Sequence, residues 1–194
     1  MTCRTATAPL LGLLFVGNAA HADGEIRRLI TKADQARLDR YDAVRTSAID
    51  AARKGGTTTD IRQLETVLDK SNLAFGEDFN MVGNWRCRTI KLGKEPPLTV
   101  YDWFKCRVTD DGSGWMLEKI SGSQRTKGRF FTESDRRLTY LGVGYVAGDK
   151  PGSYGAGPDS DEVGYAYRTG ENAFRIEFPA PVRESLMDIL ELER

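Results

Sequence analysis

Two short stretches hold the chain's most chemically suggestive residues: Trp85-Arg86-Cys87-Arg88 and Phe104-Lys105-Cys106-Arg107. The third cysteine, Cys3, falls in an expected leader; the two that remain have no Cys-x-x-Cys spacing and make a poor thiolate metal site or redox pair, so in an exported chain Cys87 and Cys106 are read as one structural disulfide. Such a crosslink stabilises a fold by roughly 3 kcal/mol on the chain-entropy account. Placing Cys87 directly opposite Cys106 in an antiparallel hairpin centres the turn between Pro96 and Pro97, two residues that cannot donate ladder hydrogen bonds.

That register sorts the side chains onto two faces. Trp85, Cys87, Val100, Phe104, Cys106 and Val108 share the face taken as a barrel interior, with Trp85 and Phe104 as its candidate lining. The other face carries Ile90, Leu92, Tyr101 and Trp103 near the turn. Farther away, Arg86 lies opposite Arg107, and Arg88 opposite Lys105. Like charges opposed on a sheet repel. They need carboxylates from a neighbouring strand or helix, or an external anion such as a phosphate, a lipid head group or an acidic peptide. Arg86, Arg88, Lys105 and Arg107 are therefore the candidate anion-binding residues. The apolar zone is the natural platform for helices, and Trp103 becomes a binding residue only if they dock elsewhere.

Other chemistries find no support. The 194 residues carry 28 basic and 28 acidic side chains, so the basic excess of a nucleic-acid binder is missing. The single histidine is His21, inside an expected leader, which removes histidine acid–base chemistry, Ser-His-Asp triads and histidine-ligated metals. G-x-S-x-G, S-x-x-K and P-loop motifs do not occur. Gly142-Val143-Gly144 sits in a strand pattern and reads as close backbone approach or barrel curvature. Asp159-Ser160-Asp161-Glu162 offers hard oxygens without EF-hand spacing. Carboxylates are plentiful, but no spacing selects a catalytic pair. No catalytic residue, metal or cofactor is assigned.

The elements that must position these residues follow from periodicity. Arg4, the apolar run Pro9–Val16 and Ala20-x-Ala22 form a secretory signal peptide over 1–22, ending in cleavage after Ala22 and implying a periplasmic protein with no transmembrane span. Apolar residues at helical spacing run from Glu25 to Arg53, with a break expected near Thr46-Ser47. Gly55-Gly56 ends this helix, and Asp60 with Gln63 opens a second as a capping box. The two form a helical hairpin over 23–75. From Met81 the period is two. Eight segments (81–92, 98–109, 115–121, 125–132, 137–147, 162–168, 173–178 and 186–192) are separated by turn clusters. The fold class is α+β: a helical hairpin packed, as one structural domain, on a seven- or eight-stranded antiparallel β-barrel over 76–194, a lipocalin-like meander.

Gly83-Asn84-Trp85 resembles the G-x-W opening of lipocalin-like and avidin-like barrels and of the barrel-shaped periplasmic inhibitors of bacterial metalloproteases. A broader resemblance covers most of the chain. Leu29 to Leu38, Trp85 to Gly93, Phe104 to Arg107, Ser121 to Arg125 and Pro179 to Leu192 are similar to the bacterial exported family catalogued as domain of unknown function 4893. That resemblance implies an exported protein with an N-terminal helical part and a β-rich part holding paired Cys-Arg dipeptides, Cys87-Arg88 and Cys106-Arg107. It implies no activity.

The expectation is a non-catalytic binding module for a small ligand such as an anion, an envelope component or a protein partner, with its surface at the barrel mouth or the basic patch. A periplasmic protease inhibitor is the first alternative. The second is an enzyme using only carboxylates, Tyr or Lys, which a buried carboxylate pair in a cleft would favour.

Overall fold

The computed structural model describes residues 22–76 and 79–194, with side chains from 26 onward. The leader and its cleavage site lie outside these residues apart from Ala22, the first residue of α1 (Ala22–Leu29). Three more helices follow: α2 (Lys32–Leu38), α3 (Tyr41–Gly55) and α4 (Thr58–Leu68). The expected break at Thr46-Ser47 is absent, and α3 runs through both residues. The chain breaks earlier, because Thr31 takes an extended conformation and its hydroxyl accepts from the Asp34 N–H at 3.2 Å, starting a new helix. The cap of α4 also differs from expectation. Thr57, not Asp60, accepts the orphan N–H, and its hydroxyl donates to the Asp60 carboxylate at 2.8 Å.

Nine strands follow: β1 (Gly83–Leu92), β2 (Leu98–Val100), β3 (Phe104–Asp110), β4 (Trp115–Lys119), β5 (Gln124–Thr132), β6 (Leu138–Val146), β7 (Asp161–Gly170), β8 (Ala173–Pro179) and β9 (Met187–Glu193). Consecutive strands from β3 to β9 pair antiparallel, β3 pairs with β1, and β1 pairs with β9, closing an eight-stranded barrel. β2 pairs with the far end of β1, on the same edge as β3. Closure leaves no long unpaired edge.

The first hairpin differs in register from the sequence expectation. Cys87 faces Phe104, and Cys106 faces Trp85, so the disulfide joins a diagonal pair with Cα atoms 5.9 Å apart. The cause is the turn. Leu92 pairs with Leu98, and Gly93 donates to the Pro97 carbonyl at 2.8 Å, so the reversal centres on Glu95. A shift of two leaves Trp85, Cys87, Phe104, Cys106 and Val108 on one face. Between β2 and β3 one extra residue bulges, however, and this reverses the phase. Val100 therefore lies beside Ile90 on the outer face rather than inside, and Tyr101 reaches the barrel mouth.

The helices cover the expected platform. Ala48, Ile49 and Ala52 of α3 and Leu64 and Val67 of α4 pack on Ile90, Leu92, Leu98, Met187 and Ile189. Polar groups fix the angle. Glu177 of β8, fully buried, accepts from Tyr41, Arg45 and Arg175, and Arg175 also donates to the Val67 and Lys70 carbonyls. The shorter helices pack elsewhere, with Leu38 of α2 against Leu141 and Val163.

Inside the barrel the inward positions change character along the strands. At one end Trp85, Val108, Leu117, Phe130, Leu138 and Phe174 fill the lumen, with Phe79 and Met81 packed against them. Trp85 meets Phe174 edge-on at 4.8 Å and donates to the Met81 carbonyl, and the Arg194 guanidinium lies 4.3 Å over its ring. This end is sealed. Toward the other end the same strands place Thr89, Lys91, Lys119, Thr126, Glu162 and Asp188 inward. Cys87 and Cys106 lie between the two halves.

Candidate functional site

The polar half of the lumen holds a cavity of about 140 Å³, and a second of about 80 Å³ adjoins it, sharing Lys91, Gln124, Arg125, Glu162, Pro181 and Asp188. Eight strands leave an interior that side chains can just fill or that holds one small ligand. Here one half follows each option. The apolar walls of the larger cavity are Phe104, Phe178 and Leu190, with Tyr101 at the entrance.

Strands β1, β4, β5, β7 and β9 deliver the polar groups. β1 contributes Thr89 and Lys91 by continuing the inward phase of Trp85 and Cys87. Lys91 has a counter-ion in Glu184 and a second acceptor in Gln124 Oε1 at 2.9 Å. Glu184 lies in the loop from Ala180 to Leu186, and Ala180 and Glu184 are the two non-glycine residues at positive φ, 46° and 65°, among the described residues. Such strain costs of order 1 kcal/mol at each position and gathers at functional loops. The loop brings the Glu184 carboxylate to Lys91 and Gln124, both of which line the cavity.

Lys119, at the end of β4, differs from Lys91. It is buried, its ammonium stands 4.1 Å over the Phe104 ring, and its single hydrogen bond, to Thr89 Oγ1, is 3.5 Å long. Burial, reinforced by Lys91 and Arg125 and opposed by Glu162 and Asp188, pulls its pKa down to about 8. Glu162 faces it from β7. Burial pushes that carboxyl up to about 7 against the lowering effect of the Thr126 hydroxyl, and its Oε2 has no hydrogen-bond partner. Asp188 of β9 is pushed up to about 6 by burial, although Ser185 donates to it. Among the described residues, no ion pair within 4 Å reaches Lys119, Glu162 or Asp188.

Arg37 closes the cavity from outside the barrel. Its Nε donates to the Pro179 carbonyl, and Nη1 donates to Asp34 and to the Asp161 carbonyl at 2.8 and 2.9 Å. Its Nη2 is buried and unpartnered. The glycines of β6 make room: a Cβ on Gly144 would lie 2.5 Å from Glu162 Oε1, and one on Gly142 2.5 Å from the Tyr140 hydroxyl. The expected close approach at Gly142-Val143-Gly144 is thus made by side chains of the lumen.

Of the residues singled out from sequence, Trp85 lies in the sealed half, and Phe104 forms a wall of the cavity. The basic residues lie on the outer face in a different pairing from that expected. Arg86 faces Lys105, and Arg107 faces Asn84, because the register is shifted by two. Arg86 pairs with Glu193 at 2.7 Å and Arg88 with Glu191 at 2.6 Å, while Lys70 binds both carboxylates. The two guanidiniums stack on Trp103 at 4.3 and 4.8 Å. Since the helices occupy the Ile90 and Leu92 platform, the condition for Trp103 as a binding residue is not met. In the acidic stretch, adjacent residues point oppositely: Asp161 accepts from the Gly155 N–H, while Glu162 enters the lumen.

Sequence reasoning missed Lys91, Lys119, Glu162, Asp188 and Arg37. A signal existed in the first strand, where the phase of Trp85 and Cys87 carries Thr89 and Lys91 inward. For the other strands, phase could be set only by knowing their registers.

Among the described residues no helix is long and apolar enough to cross a membrane, and no cluster of three or more metal-ligating side chains is present. No curated protein and no solved structure matches the chain. Residues 26–192 match the family described as domain of unknown function (DUF4893), and the chain belongs to that family.

Proposed function

We propose that this is an exported binding protein, its helices and barrel forming one domain, which holds a small molecule in the polar mouth of the barrel. One observation carries the reading. The lumen is packed with aromatic rings at one end and left as a cavity at the other, where Arg37 Nη2 and Glu162 Oε2 are buried without a hydrogen-bond partner and buried Lys119 makes one long bond. Buried polar groups in proteins are ordinarily satisfied, and each exception costs free energy. The mouth is favoured over the basic patch because Arg86 and Arg88 already have carboxylate partners. A buried disulfide suits an oxidising compartment such as the periplasm.

Native mass spectrometry of protein purified from its own host tests this. A noncovalent adduct on the wild type that is lost in Glu162→Phe is the expected result. An adduct retained by Glu162→Phe, or none on either protein, contradicts it. A second reading has support of its own: two carboxyls with raised pKa and a lysine with lowered pKa in one cavity form an acid–base set. Conversion of the captured molecule into a product of different mass would select catalysis over storage.

A further inference from the structure

Resting on the mouth as the binding site, the unused hydrogen-bond capacity defines the ligand's chemistry. The Arg37 Nη2 group has two N–H donors and no acceptor. Lys119 has three N–H donors and a single long bond, whereas Lys91 is already occupied by Glu184 and Gln124. Among the described residues only one buried side-chain oxygen, Glu162 Oε2, lacks a partner. Donors are in surplus, so the occupant must bring acceptors. Arg37 already has the Asp34 carboxylate as its counter-ion and offers only the spare Nη2 donors, so the charge that asks for a negative partner is that of Lys119.

The walls define the rest of the molecule. Phe104, Phe178 and Leu190 offer flat apolar surface, and a cavity of about 140 Å³ is of the size class that accepts one benzene-like ring. We propose that the barrel mouth selects a compact organic monocarboxylate, its carboxylate held by Lys119 and Arg37 and its apolar body lying against Phe104 and Leu190. Glu162 supports this choice. Its carboxyl, held near neutrality by burial, retains a proton readily and then offers Oε2–H as a further donor to the anion.

Calorimetric titration of the disulfide-bonded protein at pH 6 with benzoate, benzamide and benzylammonium separates charge from shape. Charge-assisted hydrogen bonds should make benzoate bind roughly tenfold more tightly than benzamide. Benzylammonium should not bind. Lys119→Met should erase the advantage of benzoate over benzamide, read as the ratio of their affinities within that variant, and Lys119→Gln provides the same test if the methionine variant fails to fold. Equal binding of benzamide and benzoate, or a preference for benzylammonium, overturns the anion assignment while leaving the mouth as a binding site. Loss of benzoate binding in Lys105→Met with Arg107→Met, but not in Lys119→Met, moves the anion to the outer face and also overturns it. Failure of all three probes overturns the assignment, and the adduct experiment then decides independently whether the mouth holds anything.

Discussion

Glu177 and Glu162 are both carboxylates enclosed by this fold, on adjacent strands, yet their surroundings are opposite. Glu177, on the outer face of β8, is held by Arg175, Arg45 and Tyr41. Burial works against its charge, but the two guanidiniums and the phenol outweigh it and hold its pKa below the usual value. Glu162, on the inner face of β7, has no cation within 4 Å among the described residues, and burial prevails. The first arrangement joins helices to barrel. The second leaves a polar group idle at a cost, which selection for stability alone would remove.

The contrast extends to the two ends of the lumen, and substitutions should expose it. Trp85→Ala, at the sealed end, should have the largest effect, a loss of about 4 kcal/mol in denaturant melts. A loss under about 1 kcal/mol would show that the aromatic plug does not carry stability. Next, Glu177→Gln leaves Arg175 and Arg45 without their counter-charge and should cost about 3 kcal/mol. If it is neutral, the buried network is not what fixes the helices.

The mouth should show itself through pH. Unfolded, Glu162 and Asp188 release their protons near 4.5 and 3.8; folded, they keep them to about 7 and about 6. The folded state thus binds more protons across that window, so stability falls as pH rises from about 5 to about 7.5. Glu162 alone should contribute about 2 kcal/mol of this fall, and Glu162→Gln should remove that share. A stability that rises across the window would place both carboxylates among partners the structure does not give them. The smallest effect belongs to the outer patch. Arg86 is more than half exposed, and Arg86→Gln should change stability by less than about 1 kcal/mol, measured in the same melts.

Much of the scaffold was legible in the chain. Turn clusters such as Asp110 to Gly114 and Glu133 to Asp135 bound the strands, and seven of the eight expected segments match observed strands within a few residues, whereas 98–109 divides into β2 and β3. The disulfide followed from two cysteines in an expected exported protein. The register did not, because a five-residue turn and a one-residue bulge near Asp102 are backbone choices made by packing, not by composition. The helix breaks were hidden by an apolar period that continues across Thr31. The site was hidden more deeply. Lys119, Glu162 and Asp188 come from three strands, and each looks like an ordinary outward polar residue until closure of β1 on β9 brings them to one cavity beside Lys91, whose inward phase is set by Trp85 and Cys87.

The central claim is that the mouth keeps unpartnered charge for a ligand at the expense of the apo fold. Denaturant melts at pH 7.5 of the wild type and of Lys119→Met with Glu162→Gln test it most directly. The account predicts a double variant more stable than the wild type, by about 2 kcal/mol, and unable to bind the mouth's occupant. A double variant less stable than the wild type would show that these residues support the fold, and would contradict the account.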